Sequence, residues 1–139
     1  MKLQKITPNF SVQDVKESVR FYRDVLGFEF EMAVRDGTNI MENRISDKHD
    51  YAYAMMRKDE IYVMFLKSDS FERDIPALEG VPQGASVLFY IDVENIDEVY
   101  ESLGEQAEIV KELETTWYGM REFHIRDSNG YILGFAEKA

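Results

Sequence analysis

The chain has 139 residues, and its 16 Lys and Arg against 27 Asp and Glu give a formal net charge of −11. That length fits one compact domain or two small modules sharing a core, and 45% hydrophobic with 13% aromatic residues excludes a disordered acidic tail. The acidic excess argues against nucleic acid and anionic membrane as partners, and the absence of cysteine removes disulfides, thiolate metal sites and a thiol nucleophile.

The opening Met1-Lys2-Leu3-Gln4-Lys5 lacks the apolar core of a signal peptide, so a cytoplasmic location is expected. No apolar run reaches the roughly 20 residues that a membrane helix needs. Ile6, Pro8, Phe10 and Val12 then alternate with Thr7, Asn9, Ser11 and Gln13, the period of a half-buried strand, with Pro8 favouring an edge or end. Asp14-Val15-Lys16-Glu17 has the form of a capping box. Val15, Val19, Tyr22, Val25 and Leu26 follow at helical spacing, and Gly27 is placed as the stop. Phe28–Val34 reads as a strand, and residues 35–50 as a long polar loop holding a short helical piece. Tyr51–Met56 and Ile61–Lys67 read as strands joined by a tight turn at Lys58-Asp59. Residues 68–83 contain Pro76, Gly80 and Pro82 among charges and form the linker candidate.

After residue 83 the order repeats. Val87, Phe89, Ile91 and Val93 alternate with Leu88, Tyr90 and Asp92. Asn95-Ile96-Asp97-Glu98 resembles a second capping box, Ile96, Val99, Tyr100 and Leu103 make a helix face, and Gly104 is the expected stop. Ala107–Leu113 and Met120–Arg126 read as strands, Asp127-Ser128-Asn129-Gly130 as a hairpin turn, and Tyr131–Glu137 as the last strand. Asp14 overlays Asn95 at an offset of 81, and Ile61–Lys67 overlays Tyr131–Glu137 at an offset of 70. The expected organisation is therefore a first module over 1–67, a linker over 68–83 and a second module over 84–139, fused as one domain.

Two segments carry a family resemblance. FSVQDVKESVRFYRDVLGFEF resembles the opening strand–helix–strand of the vicinal oxygen chelate superfamily, which includes glyoxalase I, extradiol dioxygenases and bleomycin-resistance proteins. YGMREFHIRDSNGYILGF is similar to its closing hairpin and most like the bleomycin-resistance branch. The resemblance implies an α+β fold: tandem βαβββ modules forming an incomplete eight-stranded, barrel-like curved sheet around a cleft, within one chain or across a dimer. It also implies a homodimer. Metal-dependent members carry ligands on the first and last strand of each module, and these positions fall on Thr7, Met64, Leu88 and Gly134. Such side chains offer no imidazole or carboxylate to a divalent ion, and a step to Ser86 changes nothing, so no metal or other cofactor is expected.

The same reading places Thr7, Asn9, Tyr62, Met64, Leu88, Tyr90 and Gly134 on the cleft, with Gly134 opening space where relatives have a carboxylate. Glu122 and His124 face the cleft if Phe123 and Ile125 pack on the helix; a structural hydrogen bond is the plainer role for His124. Trp117 and Tyr118, in the segment leading into the closing hairpin, are candidates for stacking on a flat or cationic ligand, with a core or interface aromatic as the other role for Trp117. Met55, Met56 and Met64 suit core packing, His49 a surface loop, and the acidic stretch from Asp92 to Glu101 a solvated helix face. Nucleophile, phosphate-loop and dinucleotide motifs are absent, and GVPQG at 80–84 lacks the Lys of a phosphate loop. The expected function is metal-free binding of an aromatic or cationic small molecule, drug sequestration being its most concrete form. A divalent-metal lyase, isomerase or dioxygenase with shifted ligands such as His124 and Glu122 is the enzyme alternative. A dimeric interaction module without ligand is the third.

Overall fold

Alternation and capping chemistry decide where the elements begin and end. The computed structural model describes residues 1–84 and 86–139. Strand β1 (Asn9–Val12) is followed by helix α1 (Val15–Asp24), β2 (Glu29–Arg35), the two-residue β3 (Met41–Glu42), β4 (Tyr51–Lys58) and β5 (Ile61–Lys67). Helix α2 (Ser68–Asp74) and a 3-10 turn (Pro76–Leu78) occupy the stretch read as a linker. Then come β6 (Leu88–Asp92), α3 (Ile96–Gly104), β7 (Glu108–Thr115), β8 (Met120–Arg126) and β9 (Ile132–Lys138). The fold is α+β, and the described residues divide into two compact units, Met1–Val81 and Pro82–Ala139. No helix among the described residues is long and apolar enough to cross a membrane.

Each unit has its own mixed sheet, ordered β1-β5-β4-β2-β3 in the first and β6-β9-β8-β7 in the second. The first strand pairs parallel with the last in both. The two offsets read from the sequence carry Phe10 and Phe65 onto Ile91 and Phe135, and both couples are register partners. The repeat is therefore one of hydrogen-bond register as well as of element order. The count differs from the eight strands expected by β3, which pairs Met41 with Val34 and Glu42 with Ala33 on the edge of the first sheet.

In the first unit Asp14 accepts a hydrogen bond from the Glu17 amide (3.2 Å) and starts α1, whose buried Val15, Val19 and Tyr22 pack on the sheet. The Tyr22 ring meets Phe65 edge-on at 4.9 Å and Phe28 at 5.4 Å, while Phe10 and Phe65 stack at 6.0 Å. Ile6 is exposed and β1 begins only at Asn9, although the Pro8 carbonyl still accepts from the Met64 amide at 2.8 Å. Gly27 takes φ +76° after the helix, a conformation costly for any residue with a Cβ.

The second unit starts its helix differently from the expectation. Asn95 sits in the left-handed region (φ 57°, ψ 54°) and makes no side-chain cap. The carboxylate of Glu137, at the end of β9, accepts instead from the Asn95 amide (3.0 Å) and the Ile96 amide (2.9 Å). Gly104 is the last residue of α3 rather than its stop. Ile96, Leu103, Phe123, Ile125, Leu133 and Phe135 are buried, with Tyr100 edge-on to Phe123 at 5.0 Å and Phe123 stacked on Phe135 at 5.2 Å. Asp127 closes the β8–β9 turn by accepting from the amides of Asn129 and Tyr131, both at 2.9 Å.

Residues 36–50 hold no helix; β3 and side-chain bonds organise them. Thr38 Oγ1 donates to the Arg35 carbonyl (2.9 Å) and accepts from the Ile40 amide (3.1 Å). Tyr51, 2% exposed, donates its hydroxyl to Glu42 Oε2 (2.6 Å) and accepts from the Ser46 amide (2.9 Å). Arg35 pairs with the same Glu42 carboxylate, Nε to Oε1 at 3.1 Å.

Candidate functional site

Period-two alternation gives each sheet two faces, one against its helix and one opposite. With Phe123 and Ile125 buried on the helix side of β8, Glu122 and His124 lie on the opposite face. Across that face the register runs Lys111, His124, Gly134, Tyr90, and one step along it runs Glu114, Glu122, Ala136, Asp92. The two small residues on β9, Gly134 and Ala136, let the side chain of Tyr90 cross from β6 to β8. Its hydroxyl donates to Glu122 Oε2 at 2.7 Å. From the other side the Tyr118 hydroxyl, carried on the β7–β8 turn, donates to Glu122 Oε1.

Glu122 is 4% exposed. Burial works against its ionisation, but the hydrogen bonds from Tyr118 and Tyr90 and the positive potential of His124 and Lys111 outweigh that and hold its pKa below the usual value. The partners move the other way. The bond to Glu122, with help from burial, pushes Tyr90 up to about 12 and raises Tyr118 too. The result is a carboxylate held charged by two neutral phenols, so the group keeps its negative charge. Lys111, which could cancel it, is bound to Glu114 at 2.9 Å.

His124 contributes a ring rather than a bond here. Its Nδ1 is buried and without a hydrogen-bond partner among the described residues. A Cβ on Gly134 would meet His124 Cδ2 at 3.0 Å and Nε2 at 3.1 Å. Gly134 therefore opens no space, contrary to the expectation from the sequence: the imidazole fills it.

The structure brings Tyr90, Glu122, His124 and Gly134 together, with Leu88 touching the same spot, since a Cβ on Gly134 would meet Leu88 Cδ1 at 3.4 Å. Trp117 is 95% exposed, edge-on to Tyr118 at 5.3 Å, and stays outside the cluster. The sequence marks Tyr118 only as a stacking aromatic beside Trp117; its bond to Glu122 is what that reading missed, and the four-residue spacing across a Thr116–Met120 turn was the available signal. In the first unit Asn9 and Met64 are register partners, and the row continues through Met55 and Met32, a half-exposed thioether face. Met56 alone of the methionines discussed is core. Thr7 precedes β1, and Tyr62 carries the Lys5 ammonium over its ring at 4.2 Å.

A metal of the kind some relatives use does not fit these residues. Thr7, Met64, Leu88 and Gly134 supply no imidazole or carboxylate, and both Glu122 oxygens already accept from phenols. Among the described residues no group of three or more His, Asp or Glu is placed to hold a metal ion.

The profile of the Glyoxalase/Bleomycin resistance protein/Dioxygenase superfamily matches residues 3–135. No curated protein matches the chain by sequence. Among solved structures, a glyoxalase/bleomycin resistance protein/dioxygenase from Nocardioides is similar at 16% identity and TM-score 0.73, over 99% of this chain and 85% of that one. The bleomycin-binding protein of Streptomyces verticillus, solved with copper(II)-bleomycin, is similar at 19% identity and TM-score 0.61, over 97% and 96% of the two chains. TnmS3, an antibiotic-binding protein from Streptomyces sp. CB03234, is similar at 14% identity and TM-score 0.69, over 100% and 99%.

Proposed function

Because the chain belongs to the glyoxalase/bleomycin resistance protein/dioxygenase superfamily, whose members share a fold and differ in chemistry, we propose that it binds a cationic small molecule with an aromatic body, without a metal. The observation that carries this reading is the Glu122 carboxylate, buried yet charged, held by the hydroxyls of Tyr90 and Tyr118. Two phenols orient a carboxylate without neutralising it. A cation arriving on this face meets an unspent negative charge and tyrosine rings on which a flat group can stack. The antibiotic binders of the same fold make sequestration of a cationic drug the concrete form of the proposal. Within the second unit Trp117, exposed beside Tyr118, is proposed to close over the bound ring, and Thr7, Asn9, Tyr62 and Met64 are proposed as a ligand-contact set on the first unit's own sheet. A cytoplasmic homodimer completes the reading, and light scattering tests the dimer.

The test is a thermal-shift titration with metal-free bleomycin and a panel of cationic glycopeptides and aromatic amines. At a hundredfold excess over Kd, linkage contributes about 2.7 kcal/mol, a rise in midpoint of roughly 5–10 °C. Glu122→Gln, which keeps the shape and loses the charge, is expected to remove that rise. A panel without effect, or an equal rise in Glu122→Gln, overturns the proposal. Stoichiometric metal in protein purified without chelator overturns its metal-free part.

A further inference from the structure

A concavity lies in the first unit, far along the chain from Glu122 and made by Met32 and the β2–β4 connection. It is an open groove of about 810 Å³, within the range of about 300–1,000 Å³ that small-molecule sites occupy. Its apolar lining is Met32, Met41 and Ile45; its polar lining includes Glu42, Arg44 and His49. We infer that this cavity is a binding site for an anionic ligand with a flat apolar body, of the aryl carboxylate class. This inference goes beyond the cation-binding reading and does not rest on the Glu122 carboxylate that carries it, although Met32 continues the row of Asn9 and Met64 on the first sheet.

The walls are built rather than loose. Strand β3 ties Met41 and Glu42 to β2, and the buried Tyr51 hydroxyl links Glu42 to the Ser46 amide. Lys48 donates its amide to Ser46 Oγ at 3.1 Å, and the Asp36 amide donates to the Asp50 carbonyl at 2.9 Å, closing the loop on itself. The charges in the lining then separate into spent and unspent. Glu42, which would repel an anion, accepts from both Tyr51 and Arg35, so its charge is cancelled by the guanidinium behind it. Arg44 has no such partner among the described residues. Asp50, at the far end of the loop, faces the Lys16 ammonium at 3.7 Å.

In a chain of net charge −11 an unpaired guanidinium lining the same groove as Met32, Met41 and Ile45 supplies a local positive charge beside apolar surface. A planar fork of donors matches a carboxylate bidentately. His49 adds a ring donor on the same rim, and Met32 and Met41 adapt to a flat ring more readily than branched side chains do.

The probe is 2-naphthoate, titrated into the uniformly 15N-labelled full chain, with 2-naphthylmethylammonium as the charge-reversed control. Saturable shifts are expected at residues 41–49 with the naphthoate and weaker ones with the ammonium. Arg44→Gln, on an exposed side chain whose dispersed spectrum reports an intact fold, is expected to weaken naphthoate binding about tenfold or more, with partial recovery in Arg44→Lys. Glu122→Gln is expected to leave it unchanged, which separates this site from the cation site. Equal binding of the two probes at residues 41–49, indifference to Arg44→Gln, or no saturable shift below about 1 mM overturns the inference.

Discussion

Glu42 and Glu122 both accept bonds from tyrosine hydroxyls, and they differ in what else they touch. Glu42 is also paired with a guanidinium that compensates its charge; Glu122 has no cation bonded to it among the described residues. The Tyr90 phenol, pushed up to about 12 by its bond to Glu122, is a direct reporter of that difference. Titrated by absorbance near 295 nm, parent protein is expected to show a late-ionising group of tyrosines with Tyr90 at about 12 among them, and Glu122→Gln is expected to return Tyr90 and Tyr118 toward the ordinary value of about 10 while Tyr51 stays late. Stability carries the same signature. The carboxyl of Glu122 is lower in the folded chain than in the unfolded one, so its contribution is full above the unfolded value of about 4.3 and fades as pH falls through the folded one. In urea unfolding the gap between parent and Glu122→Gln is therefore expected to be widest near neutrality and to close in acid. Glu122 and His124 were legible as a face because Phe123 and Ile125 alternate with them. The bond from Tyr118 to Glu122 was not, because a turn residue follows no periodicity and its reach depends on the geometry of the Thr116–Met120 turn.

At the scale of elements, the two helices solve one problem with different residues. Helix α1 is capped from within its own sequence by Asp14, whereas α3 borrows the Glu137 carboxylate from the other end of the unit. Glu137→Ala is expected to cost about 1 kcal/mol, the usual worth of an N-cap, although Glu137 lies outside the helix; chemical denaturation measures it. Asn95→Gly is expected to be nearly neutral and Asn95→Val destabilising by roughly 1–2 kcal/mol, since the left-handed backbone there excludes a branched Cβ. The pattern at residues 95–98 was a true helix start and a false capping box. Local sequence marked the boundary, but a long-range carboxylate took the amides that Asn95 would have served. Strand β3 was invisible for a related reason: two residues carry no period, and only the pairing with Val34 and Ala33 defines them.

For the whole chain, the repeat predicts two separate protected cores. In hydrogen exchange the slowest amides are expected on β4 and β5 in the first unit and on β8 and β9 in the second. Helix α1 is expected to outlast α3, because it buries Val15, Ser18, Val19 and Tyr22 where α3 buries Ile96 and Leu103. An α3 more protected than α1 would contradict the assignment of the cores. Register has survived between the halves while chemistry has diverged: Met55 opposite Met64 corresponds to His124 opposite Gly134. The second of these pairs is complementary in size, a large ring resting on a bare backbone. Substitutions at the two positions therefore do not commute. Installing a carboxylate at 134 first drives its Cβ into the imidazole, whereas shortening His124 first clears the way, so one of the two mutational orders passes through a damaged intermediate. A lineage, or a laboratory selection, putting an acidic side chain on this strand meets less strain when the change at residue 124 comes first.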